Sequence, residues 1–243
     1  MSIRSTIRAA LRQTGFDIVR YVPEMDRPFP VLPMLVRERL ARNPDFFFVQ
    51  VGANDGILDD PLRELIHTHH FPGLLIEPLP DLFEQLKRNY QDEPQLVFAN
   101  VAILDREGSV QIHRVRSEAD VPEHWHGIAS FNRANLLSQG VLPEHIKVES
   151  VMGTTFGSLL AQHGVGAIGL LQVDTEGYDY EVIKAALTAG IFPEMINYEH
   201  CWLVPHVRLA CKQLLHQHGY QFVEVGKDTV AVRAASESAP VAA

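Results

Sequence analysis

Short, unbroken apolar runs alternate along this chain with stretches whose hydrophobic residues recur every three or four positions. The runs at 46–51, 74–77, 96–101, 168–173, 194–198, 220–225 and 229–233 have the length and character of strands buried on both faces. Between them, 60–69, 81–90, 155–163, 180–189 and 205–217 read as helices. In 81–90, for instance, Leu82, Phe83, Leu86 and Tyr90 share one face. The run 96–101 continues to Ile103, and Val110 to His113 reads as a short extra strand. Such alternation predicts an α/β fold, a mostly parallel sheet with helices on both sides. The turn Gly226-Lys227-Asp228 joins the last two strands as a hairpin, which makes one strand antiparallel to the rest.

Three stretches depart from the pattern. Residues 1–44 read as a helical extension: a helix, a proline-punctuated loop, and a second helix over 35–41 stopped by Pro44. The first helix sets Arg4, Arg8 and Arg12 beside Ile3, Ile7 and Leu11, a face suited to packing on the domain or on a second copy of the chain as a homo-oligomer. Residues 117–149 carry little periodicity but many His, Pro, Gly and Asn; so long an irregular stretch inside a compact domain reads as a lid or substrate loop. Residues 235–243 read as a disordered tail, which leaves 45–234 as one domain.

Composition narrows the partners. The net charge of −9 argues against a nucleic-acid ligand, which needs clustered Lys and Arg. Cys201 and Cys211 have the spacing of neither a zinc knuckle nor a redox pair, which fits a reducing cytoplasm. No apolar run approaches the roughly 20 residues that a transmembrane helix requires.

The chemistry gathers at strand ends. The first strand empties into VGANDG, where Gly52 and Gly56 let a ligand approach the main chain and Asn54 and Asp55 offer polar groups. Glu77 ends the next strand about twenty residues on, where nucleotide-type folds place the acid that binds ribose hydroxyls. Ala53-Asn54-Asp55 stand where a dinucleotide fold would have further glycines, so the turn suits an amino-acid-like moiety, and its carboxylate favours a sulfonium over a pyrophosphate. Asn100-Val101-Ala102 would flank a base. Asp174 ends a later strand ahead of the Glu176-Gly177 turn, and Glu199-His200 ends the strand after that. Burial and neighbouring like charge would tune Asp174 or Glu176 as a base. Asp174, Glu199 and His200 are also candidate ligands for a divalent metal such as Mg²⁺; without one, His200 would serve as base with Glu199 orienting it. The segment 124–136 adds His124, Trp125, Ser130, Asn132 and Arg133, a set suited to aromatic and polar contacts.

At FVQVGANDG, LLIEPLPDLFEQLKRNY, VFANVAILDREG and LLQVDTEGYDYEVIKAAL the chain resembles the FkbM family of S-adenosylmethionine-dependent methyltransferases. The resemblance implies a Rossmann-like class I methyltransferase fold, with a seven-stranded, mostly parallel sheet and a C-terminal antiparallel hairpin. It implies methyl transfer to a hydroxyl of a small-molecule or glycan acceptor. Gly52, Ala53, Asn54, Asp55 and Gly56 would surround the methionine part of S-adenosyl-L-methionine, Glu77 would hold its ribose, and Val101 and Ala102 its adenine. Asp174 and Glu176 match the family's acidic turn; Glu176 or His200 would act as base, with Asp174 orienting substrate or ligating a metal. Two alternatives stand beside this: a non-catalytic methyltransferase-like binding subunit, and an NAD-dependent oxidoreductase, against which the missing GxGxxG and the lack of a second catalytic domain argue.

Overall fold

The computed structural model describes residues 29–234; the expected arginine-bearing helix and C-terminal tail lie outside the described residues. Helix α1 (Val31–Arg42) leads into β1 (Phe48–Val51), α2 (Arg63–His69), β2 (Gly73–Ile76), α3 (Pro80–Asn89) and β3 (Leu96–Ala99). After an excursion through 102–155 the alternation resumes with α5 (Phe156–Gln162), β8 (Leu170–Val173), α6 (Asp179–Thr188), β9 (Met195–Glu199), α7 (Pro205–Gln217), β10 (Tyr220–Val225) and β11 (Asp228–Arg233).

These strands form one seven-stranded sheet in the order β10-β11-β9-β8-β1-β2-β3. All neighbours are parallel except β11, which runs antiparallel to both β9 and β10. This is the sheet that the resemblance implies, including the antiparallel strand expected from the terminal hairpin. The order reverses at β1, whose neighbours are β2 and β8. A crevice opens at the carboxyl ends of strands at such a switch point.

Strand alternation divides the core into two layers. Val49, Val51, Leu171, Val173, Ile196 and Tyr198 face α5, α6 and α7. Phe48, Leu75, Leu170 and Met195 face the other way, onto Leu32 and Val36 of α1, Leu65 and Ile66 of α2, and Leu86 of α3. So α1, part of the expected extension, covers one face of the sheet.

The excursion builds a second sheet that the hydrophobic pattern does not announce. It contains β4 (Ala102–Leu104), β5 (Gly108–Val115), β6 (Ala129–Ser130) and β7 (Ile146–Thr155), in the order β4-β7-β5-β6. The expected run from 96 to Ile103 therefore breaks after Ala99, and its second half pairs with β7. Between β5 and β7 the stretch read as irregular also holds a 3₁₀ turn at Glu123–Gly127 and a short helix α4 (Arg133–Ser138), capped by the Asn132 side chain accepting from Ala134 N–H. Leu79 and Leu82 pack against Ile112 and Val151 to join the two sheets. Buried Arg114 on β5 reinforces the joint with a bidentate bond to Asp81 of α3, at 2.6 and 2.9 Å.

Candidate active site

The turn after β1 is shaped by how closely β8 approaches it. Gly52 has φ +81°, and a Cβ there would lie 1.7 Å from the Asp174 carbonyl oxygen. Gly52 and Ala53 N–H groups both bond to Ile76 O, so the chain leaves β1 pinned to the end of β2. Asn54 then adopts φ 50°, and its N–H bonds to Glu77 Oε2 at 3.0 Å. The other carboxylate oxygen accepts from Leu79 N–H at 2.9 Å. Burial pushes the Glu77 carboxyl up to about 7, against the pull of those two N–H bonds. Each oxygen keeps a lone pair for a further donor. Asn100 supports this corner, its amide donating to the carbonyls of Glu77 and Pro78.

Glu77, Gly52, Ala53, Asn54, Val101 and Ala102 all line a cavity of about 330 Å³ at the switch point. Asp55 and Gly56 do not. The Asp55 carboxylate folds back onto Ile57 and Leu58 N–H at 2.9 Å each, and Gly56 sits against the Tyr90 ring and Leu86. They build the turn and stand outside the cavity lining.

Across the cavity stand Asp174, Glu176 and Glu199. Burial, then the charges of Glu199, Glu176 and Asp179, raise the Asp174 carboxyl well above its ordinary range. Burial and the Glu199 charge push Glu176 to about 7, opposed by a 2.7 Å bond from Gln139 Nε2. Asp179, fully buried at the start of α6, is pushed by burial and Glu199 to about 8. His200 points elsewhere: its Nδ1 lies 2.9 Å from Thr229 Oγ1 on β11, outside the cavity lining. Successive side chains at a strand end face opposite sides, so Glu199 and His200 cannot both reach the crevice.

The excursion supplies the remaining wall through His124, Trp125, Gly127, Ile128 and Gln139. It is fastened to the β8 turn: Ser130 Oγ and Asn135 Nδ2 bond to Glu176 O at 3.0 and 2.8 Å, and Gln139 holds the Glu176 carboxylate. Beneath lies a polar row that the strand patterns hid in plain view, Gln50 on β1, Gln172 on β8 and Asn197 on β9, in register. Gln50 Nε2 donates to Asp60 Oδ1 and Asn197 Nδ2 to Gln172 Oε1. Lys227, from the β10–β11 turn, was also missed; it enters the cavity wall with Nζ 3.2 Å from Glu199 Oε1.

This donor set fits S-adenosylmethionine: a buried carboxylate with spare lone pairs, apolar walls at Val101, Ala102 and Ile103, and the buried Gln50 Oε1 and Thr175 Oγ1, which have no hydrogen-bond partner among the described residues. It does not fit a bound metal as the sequence suggested. His200 is engaged by Thr229, Glu199 is paired with Lys227, and among the described residues no group of three His, Cys, Asp or Glu is placed to hold an ion.

Burying so many carboxyls has a measurable consequence. The unfolded chain releases these protons near pH 4 to 5, whereas the fold retains them to about 7 at Glu77 and Glu176 and about 8 at Asp179. The native state therefore binds more protons than the unfolded one across this window, and stability falls as pH rises through it. Ligand-free protein is expected to melt about 5–10 °C lower at pH 8 than at pH 5.5. An equal or higher midpoint at pH 8 would mean that these carboxyls are not buried as described.

The family model for the methyltransferase FkbM domain matches residues 50–222. No curated protein matched the chain. Similar solved structures include the O-methyltransferase TomG from Streptomyces achromogenes in complex with SAM, at 12% identity and TM-score 0.45, covering 95% of this chain and 89% of that one. The human methyltransferase 10 domain containing protein is 12% identical, with TM-score 0.42 and 95% of each chain covered. The SAH-bound Podospora anserina methyltransferase PaMTH1 is 11% identical, with TM-score 0.40, covering 97% and 89%. Given a family match that spans the switch-point turn, both acidic corners and most of the sheet, the chain belongs to the FkbM family of S-adenosylmethionine-dependent methyltransferases.

Proposed function

We propose that this methyltransferase acts on a hydroxyl oxygen of a saccharide or other natural-product alcohol, with Glu176 as the base. When bound, S-adenosylmethionine supplies a methyl carbon on a positively charged sulfur, which an acceptor lone pair displaces while the carbon–sulfur pair stays on sulfur. The chain's part is to hold, align and deprotonate. Glu77 accepts the ribose hydroxyls, Val101 and Ala102 flank the adenine, and the Gly52–Asn54 backbone faces the methionine part. Asp174, next to Glu176 at the end of β8, orients the reacting groups.

The observation that carries the reading is Glu176, a cavity-wall carboxyl pushed to about 7. A hydroxyl must lose its proton as it attacks, whereas a neutral amine already presents its lone pair. A base tuned near neutrality suits the former. The cavity lining supports a sugar-like ligand, because it includes the aromatic side chains of Trp125, Trp202 and Tyr178 and the amide of Gln139. The direct test is labelled methyl transfer from S-adenosylmethionine to a panel of saccharides, other alcohols, amines and thiols. Products labelled on nitrogen or sulfur alone would overturn it.

In this reading residues 45–234 are the catalytic domain and 117–149 its lid. Asn135→Ala removes the 2.8 Å bond to Glu176 O that ties the lid to the β8 turn, and a 3.3 Å bond to Ser130 Oγ that braces the lid internally. At about 1 kcal/mol each, their loss should raise the acceptor KM about 5–30-fold and speed hydrogen exchange over 123–139, with S-adenosylhomocysteine affinity changed less. Unaltered exchange there would show that the lid is held by other contacts.

A further inference from the structure

The β10–β11 turn carries Lys227 to the acidic side of the cavity, where its Nζ is 3.2 Å from Glu199 Oε1 and 4.0 Å from Asp59 Oδ2. Glu199 is buried, while Lys227 is about half exposed and faces the cavity. Among the described lining residues it is the only Lys or Arg, set against Asp59, Asp60, Glu77, Asp174, Glu176 and Glu199. Glu199 and Asp174 are two of the three residues that the sequence offers to a divalent ion; the third, His200, is turned onto Thr229.

We propose that Lys227 takes the place of that ion: its ammonium, compensating Glu199 and Asp174, binds the acceptor hydroxyl oxygen beside Glu176 and makes methyl transfer independent of metal. This rests on the reading of Glu176 as the base and adds no bond-making step of its own. An ammonium donor on the hydroxyl oxygen stabilises the developing alkoxide, as a cation would, while the proton passes to Glu176. Burial pulls the lysine down, but Glu199, Asp174 and Asp59 outweigh it and raise Lys227 above its ordinary value, so it stays charged throughout the working pH range. A compact ammonium with three rotatable donors can keep Glu199 and still reach an acceptor.

Two measurements test this without an acceptor. Lys227→Met removes a positive charge from the reacting end, so it should favour cationic S-adenosylmethionine over S-adenosylhomocysteine in calorimetry by about fivefold or more, while Lys227→Arg leaves the ratio near that of the native chain. An unchanged ratio in Lys227→Met would place the lysine away from the methyl position and overturn the proposal. Water-proton relaxation with Mn²⁺ should show no uptake by the native protein at millimolar concentration; uptake quenched by Mg²⁺ would also overturn it. With an acceptor from the panel, Lys227→Met should lose about 100-fold in kcat, Lys227→Arg should recover part of it, and chelator should leave native activity intact. Failure to find any hydroxyl acceptor would count against the proposed reaction, whereas an active enzyme indifferent to Lys227→Met would count against the lysine alone.

Discussion

Glu176→Gln is expected to lower methyl transfer by about 10²–10⁴-fold, the usual contribution of a positioned general base, with S-adenosylhomocysteine affinity held within a few-fold. The substitution isolates the proton because it keeps almost everything else. Glutamine has the same length, its carbonyl oxygen can still accept from Gln139 Nε2, and the backbone carbonyl that Ser130 and Asn135 hold is untouched. It also removes a carboxyl that burial and Glu199 have pushed to about 7, so the variant should be as stable as the native chain at pH 8, or more so. Loss of activity through misfolding would show the opposite sign. The native enzyme should show kcat/KM rising with pH to a plateau above about 7, where Glu176 has given up its proton. Glu176→Gln should abolish that limb. A variant within a few-fold of native activity would send the search to Asp174, the other cavity carboxyl at this strand end.

The fold was legible where mainly apolar strands alternate with amphipathic helices. Strands such as β8 and β9 read directly as apolar runs, and α7 and β10 have the bounds that the pattern suggests. The second sheet was not, for a physical reason. Its strands β5 and β7 face solvent on one side, and some thirty intervening residues separate partners such as Val115 and Ile146. Alternation in IKVESVM was the available signal, blurred because Val148 and Met152 are exposed while Lys147 and Glu149 are half-covered. At the site, strand ends gave reliable positions for Glu77, Asp174 and Glu176, since topology alone brings them to one crevice. Direction was harder. Asp55 satisfies its own turn, a local competition that short acids often win. His200 lies one residue past Glu199 and so faces the other side of the sheet. Lys227 reaches the site only because β11 inserts beside β9, pairing Asp228 with Glu199. Gln50 and Gln172 could have been found, since an amide at the third place of FVQV and LLQV is out of character for a buried strand.

Gly52→Ala should remove cofactor binding and much of the stability, with a fall in melting temperature of about 5–20 °C. The new Cβ would meet the Asp174 carbonyl oxygen at 1.7 Å, and the obstacle is backbone. It cannot swing aside as a side-chain tip would. Asp174 N–H is bonded to Val51 O and Gly52 N–H to Ile76 O, so β1 is held from both sides where the clash arises. Two costs combine, about 1–3 kcal/mol for holding alanine at positive φ and about 1–3 kcal/mol for overpacking. Gly190 separates them. It has φ +76°, close to the +81° of Gly52, but a Cβ there meets nothing within 4 Å. Gly190→Ala should therefore carry the conformational cost alone, a fall of about 2–10 °C, with S-adenosylhomocysteine binding intact. The difference between the two variants then measures the contact between the ends of β1 and β8. If Gly52→Ala melts with Gly190→Ala and binds as the native chain does, β8 can retreat at this point, and the close approach of the two strands is not what shapes the cofactor turn.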